Sequence, residues 1–154
     1  MKMPDVNVLA YAHRQDELHH DFYGDWIEGL VNSGAPFGLS GLVAVAFVRI
    51  VTHPRFGDPP TPLGLALDTV DRLRDAPGCR WLLPGARHWA LTAMLCRETR
   101  ATGKQLADAQ HAAVAIEHGC QWVTRDDDFA VFAAHGLDWE HLSPAPGERP
   151  KAAI

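Results

Sequence analysis

Asp5, Asp108, Asp126 and Asp128 are far apart in the chain, yet each stands where a short apolar run meets the start of a helix-like segment. In an open α/β sheet, side chains just beyond the carboxyl ends of the strands converge on the crevice where ligands bind, so acids distant in sequence become neighbours in space. Two carboxylates about 4 Å apart repel by roughly 4 kcal/mol at an effective dielectric of about 20, so a converged cluster favours a divalent cation. All-oxygen ligands suit a hard ion, magnesium or manganese. The chemistry such a site supports is hydrolysis of a phosphodiester, in which the cation activates water and stabilises charge on the phosphoryl oxygens.

Each acid also has a plainer reading. Asp5, in Pro4-Asp5-Val6-Asn7-Val8-Leu9, serves equally well as a helix cap or as a ligand, and Asn7 can cap the following turn. Asp108 lies one turn into a helix, where an acid gains about 0.3 to 1 kcal/mol from the dipole. Helical spacing also puts Asp108 on one stripe with His111, Ala112 and Ala115, and the alanines let that helix approach the sheet closely. Asp126, Asp127 and Asp128 follow Thr124-Arg125 and could simply cap a helix, but Phe129 and Phe132 bury the segment behind them and hold the acids at the strand edge. Asp128 is placed to orient or deprotonate a water. Asn7 and Thr124 are hydrogen-bond partners for the acids, and Arg49 is a substrate contact.

The elements that must position these residues alternate between strand and helix. Met3 to Leu9 reads as a strand, His19 to Val31 as a helix, and Pro36 to Leu39 as a strand. Ser40 caps a helix that runs through Val51 and ends at His53-Pro54. Thr61 and Pro62 read as an N-cap followed by proline at the first helical position, opening a helix to Asp75. Trp81 to Leu83 is a third strand, and Ala86 to Thr99 a helix closed by Gly103. Gln105 to Glu117 is a helix, Gln121 to Thr124 a strand, Asp127 to Ala134 a short helix and Leu137 to Leu142 an edge strand. The alternation predicts an α/β fold with a mostly parallel sheet flanked by helices. Residues 1–142 form one domain, and 143–154, with Pro144, Pro146 and Pro150, read as a mobile tail.

At 154 residues, 47% apolar and 21% charged, the chain can bury one substantial core. No stretch approaches the roughly 20 apolar residues of a membrane span, and no signal-peptide pattern opens the chain, so a cytoplasmic protein is expected. Cys79, Cys96 and Cys120 are too widely spaced for a zinc cluster and read as buried reduced thiols. A net charge of −5 excludes coating of nucleic acid through bulk charge, so any such contact is local. Arg97, Arg100 and Lys104 form the candidate basic patch, with Arg49, Arg55, Arg72 and Arg74 as further phosphate contacts, against the alternative of a solvated helix face. His13, His19 and His20 lack metal-ligand spacing and read as surface groups. His111 and His118 read as packing or surface groups, and all five tryptophans as core.

Four blocks together carry a resemblance. They are Pro4 to Ala12 (PDVNVLAYA), Phe47 to Arg55 (FVRIVTHPR), Asp108 to Gly119 (DAQHAAVAIEHG) and Thr124 to Phe129 (TRDDDF). In order and spacing, over residues 2–142, the chain resembles PIN-domain ribonucleases, specifically VapC-type toxins. The resemblance implies a PIN fold, a magnesium-dependent endoribonuclease acting on RNA, a homodimer, and a VapB-type antitoxin that occludes the site. It implies that Asp5, Asp108 and Asp126 hold the metal, with Asp128 nearby. The chain departs from many relatives in one respect, since Ala46 aligns where they carry a glutamate. That departure motivates the alternative of a non-catalytic protein-binding module. A receiver-like signalling domain would need a phosphoacceptor aspartate in a middle strand and a lysine after a late one, and neither is evident.

Overall fold

The computed structural model describes residues 1–144, so 145–154, which hold most of the expected tail, lie outside the described residues. Five strands form one sheet: β1 (Lys2–Pro4), β2 (Phe37–Ser40), β3 (Cys79–Leu82), β4 (Gln121–Thr124) and β5 (Trp139–His141). Their order is β3-β2-β1-β4-β5, and every pairing is parallel. The helices are α1 (Val6–His13), α2 (His20–Asn32), α3 (Gly41–Val51), α4 (Leu63–Arg74), α5 (His88–Thr99), α6 (Lys104–Glu117) and a 3-10 helix, η1 (Asp127–His135). The chain leaves β1 toward β2 on one side and reaches β4 on the other, so the topological switch point lies between β1 and β4. There Pro4 pairs with Val123, and both strands end one residue later or less. Asp5 follows β1 directly, and Asp126 follows β4 after Arg125.

Alternation along the strands divides the apolar side chains between two cores. Met3, Leu39 and Trp122 join the larger one with Val43, Phe47 and Leu95, while Val123 joins Val8, Tyr23 and Leu142 in a smaller one. Ala109, Ala112, Ala113 and Ala115 of α6 are fully buried, so a face of methyl groups lets this helix lie close to its neighbours. Among the described residues no helix is long and apolar enough to cross a membrane. Cys120 is a buried free thiol, whereas Cys79 and Cys96 are half-buried ones.

Several elements differ from the sequence reading. The strand expected from Met3 to Leu9 stops at Pro4, because Asp5 caps a helix whose Val6, Leu9 and Ala10 face the large core while Val8 faces the small one. Pro62, not Thr61, precedes α4, and the Thr61 hydroxyl instead meets His13 Nε2 at 3.2 Å. Helix α5 starts at His88, two residues late, and Arg100 closes it in the left-handed region at φ 56. Gly103, expected as its stop, is the residue that enters α6. The last strand contracts to Trp139–His141. Ser40 does cap α3, accepting from Leu42 N at 3.2 Å.

One buried cation fixes the loop between α3 and α4. Arg14 donates to both carboxylate oxygens of Asp16, at 2.7 and 2.6 Å, and to Pro59 O at 2.9 Å. Gly57 allows this passage, with φ +88 and space so tight that a Cβ there would lie 1.8 Å from Arg14 Nη2. Gly57→Ala is therefore expected to destabilise the fold by about 1–3 kcal/mol. A urea midpoint equal to that of the parent would contradict the packing described here.

Candidate active site

Asp5 is held by its immediate surroundings rather than by another charge. Its side chain accepts from Val6 N, which makes it the cap of α1, and its Oδ2 accepts from Thr124 Oγ1 at 2.5 Å and from Asn7 Nδ2 at 2.8 Å. Thr124 is fully buried at the last position of β4 and works three ways. Its hydroxyl donates to Asp5 and accepts from Asn7 Nδ2 at 3.0 Å and from Asp126 N at 2.9 Å. Asn7 returns with its oxygen to Arg125 N at 3.2 Å. So Asn7 ties α1 to β4 instead of capping a turn, and one hydroxyl sets the spacing between Asp5 and Asp126. Thr124→Val would leave these polar groups without their shared partner, at about 1–3 kcal/mol. It is expected to reduce activity about 10- to 100-fold, with Thr124→Ser restoring most of it. Equal activity in the valine and parent chains would show that the network positions nothing.

The other acids surround this pair. A helix that leads back into a parallel strand runs antiparallel to it, which brings the first turns of α6, with Asp108, to the carboxyl edge of the sheet. Asp126 caps η1, its Oδ1 accepting from Asp128 N at 3.0 Å, while its Oδ2 faces Lys104 Nζ at 4.0 Å. Asp128 is exposed at the mouth. Burial pushes the Asp5 carboxyl up to about 7, against the opposing pull of its hydrogen bonds from Thr124 and Val6, and the charges of Asp108 and Asp126 add to the rise. Burial also raises Asp108, helped by Asp126 and Asp128 and opposed by Lys104. The four acids therefore share one electrostatic environment.

They do not stand in ligating positions as they are: among the described residues no three His, Cys, Asp or Glu side chains are grouped closely enough to hold an ion. The physical reason is visible in the contacts, since Asp5 is turned onto its donors and Asp126 onto Asp128 N and Lys104. A divalent cation nonetheless fits the donor set. Asp108 Oδ2 is buried with no hydrogen-bond partner, an acceptor whose desolvation costs about 1–3 kcal/mol unless something completes it. With Asp5 and Asp126 it would supply oxygen ligands only, as magnesium or manganese prefers. Beside these acids opens a cavity of about 270 Å³, lined by Thr99, Gln105, Asp108, Asp128 and Phe132 among others. A larger cavity, about 520 Å³, lies at the start of β1 beside Lys2 and Trp26, away from the acids.

The remaining candidates separate clearly. Arg97, Arg100 and Lys104 are exposed on α5, at its end and on α6, and the last two adjoin in sequence the cavity-lining Thr99, Ala101 and Gln105. Arg49 is exposed on α3; burial, with smaller contributions from His88 and Arg49, holds His111 down to about 4. That ring stacks on Trp122 at 5.6 Å and is a packing group. His13, expected at the surface, is half-buried against Phe47. Of the five tryptophans only Trp122 is fully buried, while Trp81 and Trp89 are exposed, so the expectation that all are core fails there. Ala46 is half-buried and packs against the large core. The sequence reading passed over Arg125, whose guanidinium lies 4.9 Å over the Tyr11 ring. Its place immediately after the end of β4, between Thr124 and Asp126, was the signal available.

Comparison with known proteins bears on this arrangement. The family model of the PIN domain matches residues 2–134. Ribonuclease VapC43 of Mycobacterium tuberculosis is 41% identical over 137 residues, 89% of this chain and 92% of its own length. Among solved structures, VapBC2 from Rickettsia felis, bound to a DNA fragment from its promoter, superposes with a TM-score of 0.66 at 17% identity, over 90% of this chain and 96% of that one. VapC20 of M. tuberculosis, a toxin that cleaves the sarcin-ricin loop, gives 0.63 at 16% identity, over 94% and 100%. The two structures share the fold.

Proposed function

Because this chain belongs to the PIN-domain family, we propose that it is a divalent-metal-dependent endoribonuclease of the VapC toxin class, restrained by a VapB-type antitoxin. The observation that carries the reading is the carboxyl-edge cluster, in which Asp5 is locked by Thr124 and Asn7 while Asp108 keeps a buried oxygen without a partner. The ribonuclease names of relatives such as VapC43 support RNA as substrate, and the VapBC complex among the structural neighbours supports an antitoxin partner. The family assignment leaves the receiver-like alternative without support.

Asp5, Asp108 and Asp126 would hold the ion, magnesium first and manganese as a substitute. When bound, that ion offsets charge on the phosphoryl oxygens and makes water a better nucleophile. Thr124 favours the charged form of Asp5 by donating to it, against the burial that raises the carboxyl, and Asn7 fixes the same oxygen from α1. Asp128, exposed at the mouth, takes the proton of the attacking water. A P–O bond of the RNA breaks as the water oxygen bonds to phosphorus, and the leaving oxygen collects a proton from solvent. Ala46 places no carboxylate at its position on α3, so three acids and surrounding water complete the site. The domain spans residues 1–142 and works as a homodimer. Expression of the chain alone in bacteria should arrest growth with loss of intact RNA, and Asp108→Asn should relieve both. Growth unaffected by an abundant, folded parent chain would favour the non-catalytic binding module.

A further inference from the structure

A cluster of acids repels an RNA strand, so the protein must supply cations at the rim that are free to meet phosphates. Lys104 already faces Asp126 at 4.0 Å on the α6 flank. On the other flank stands Arg125, exposed, with no ion pair among the described residues. Its guanidinium lies over the Tyr11 ring, and Tyr11 in turn packs on Tyr23 at 5.3 Å. The main chain of Arg125 is fixed on both sides: its N donates to Asn7 Oδ1 at 3.2 Å, and its carbonyl pairs with His141 Nε2 at 2.8 Å. The same Asn7 bonds Asp5 Oδ2, so the cation and the carboxylate are referred to one another through a single side chain.

We propose that Arg125, laid on Tyr11 and fixed through Asn7 and His141, is a substrate-binding residue that holds an RNA phosphate on the α1 side of the acid cluster. This rests on the ribonuclease reading above. A guanidinium held over an aromatic face is fixed in place while its N–H groups stay free to make a bidentate phosphate contact. It offers charge without base-edge recognition, so its contribution is the same for any sequence. Together with Lys104 and Arg100 on the opposite flank, it would let a single strand cross the acids with cations on both sides.

The test is binding of a short single-stranded RNA of mixed sequence to the Asp108→Asn chain in magnesium, across a range of salt, with and without Arg125→Ala. The removal of Arg125 is expected to weaken binding about tenfold and to lower the salt slope by about one. Arg125→Lys should restore the slope but not the full affinity, because the ammonium lacks the planar fork. In the otherwise native chain, Arg125→Ala should raise KM and leave kcat little changed. Unfolding midpoints report whether the variants keep the fold, and the exposed position of Arg125 predicts that they do. Equal affinity and slope in the parent and Arg125→Ala chains would overturn the assignment while leaving the ribonuclease reading intact. If the parent bound no RNA at all, both would fall, and the parent curve alone would reveal it.

Discussion

Asp108→Asn is expected to lower RNA cleavage by at least about 100-fold while leaving the fold within about 1 kcal/mol of the parent. The two halves of that result have separate causes. Activity is expected to fall because Asp108 Oδ2 is the buried acceptor without a protein partner, the atom through which the proposed cation would be held. Stability changes little because burial already raises the Asp108 carboxyl, so the neutral amide relieves an unfavourable charge while leaving a buried donor in exchange. Cleavage and urea unfolding of the same preparation separate the effects. Loss of both together would mean that Asp108 is a structural residue of α6.

Asp5→Asn should stabilise the metal-free protein at alkaline pH. The Asp5 carboxyl rises from 3.8 to about 7 because burial disfavours its charge. A group whose pKa is raised by folding stabilises the fold below its unfolded value and loses that contribution as pH climbs through the folded value. The parent therefore carries no penalty from Asp5 near pH 4 or below, loses stability between about 4 and 7, and bears the full cost above. That cost, about 4 kcal/mol at most, already includes the opposing pull of the Thr124 hydrogen bond, and the poorer fit of an amide to Thr124 and Asn7 takes away part of what the variant gains. At pH 8 without metal the asparagine variant should unfold at higher urea, and at pH 4 that advantage should be gone, leaving only the poorer fit of the amide. Magnesium at about 100 times its Kd should then return roughly 3 kcal/mol to the parent and almost nothing to the variant. A pH-independent difference between the chains would contradict the buried charge.

Much of the site was legible because caps and strand ends leave marks in sequence. Asp5 and Asp126 each close an apolar run and open a helix, and both prove to be caps at the switch point. The alanine stripe around Asp108 announced a helix able to lie close to the sheet, and those alanines are buried. Helix α1 was misread because Val6 and Val8 satisfy strand alternation as well as they satisfy a helix buried on two sides, and only the Asp5 cap distinguishes them. The exposure of Trp81 and Trp89 was hidden for a related reason: periodicity identifies a face without saying whether anything covers it. The Arg125–Tyr11 pair joins residues 114 positions apart in sequence, a contact that no local pattern encodes. Nor could spacing show that Thr124 bonds to Asp5 and Asp126 at once.

Whether this carboxyl edge cuts RNA is the decisive question. The most direct measurement incubates the purified chain, free of antitoxin, with total cellular RNA, with magnesium or with chelator, beside Asp5→Asn, and sequences the new RNA ends. Discrete ends that require magnesium and vanish in the variant are the predicted result. A folded, magnesium-loaded parent that produced no new ends, or ends equally abundant with Asp5→Asn, would contradict it.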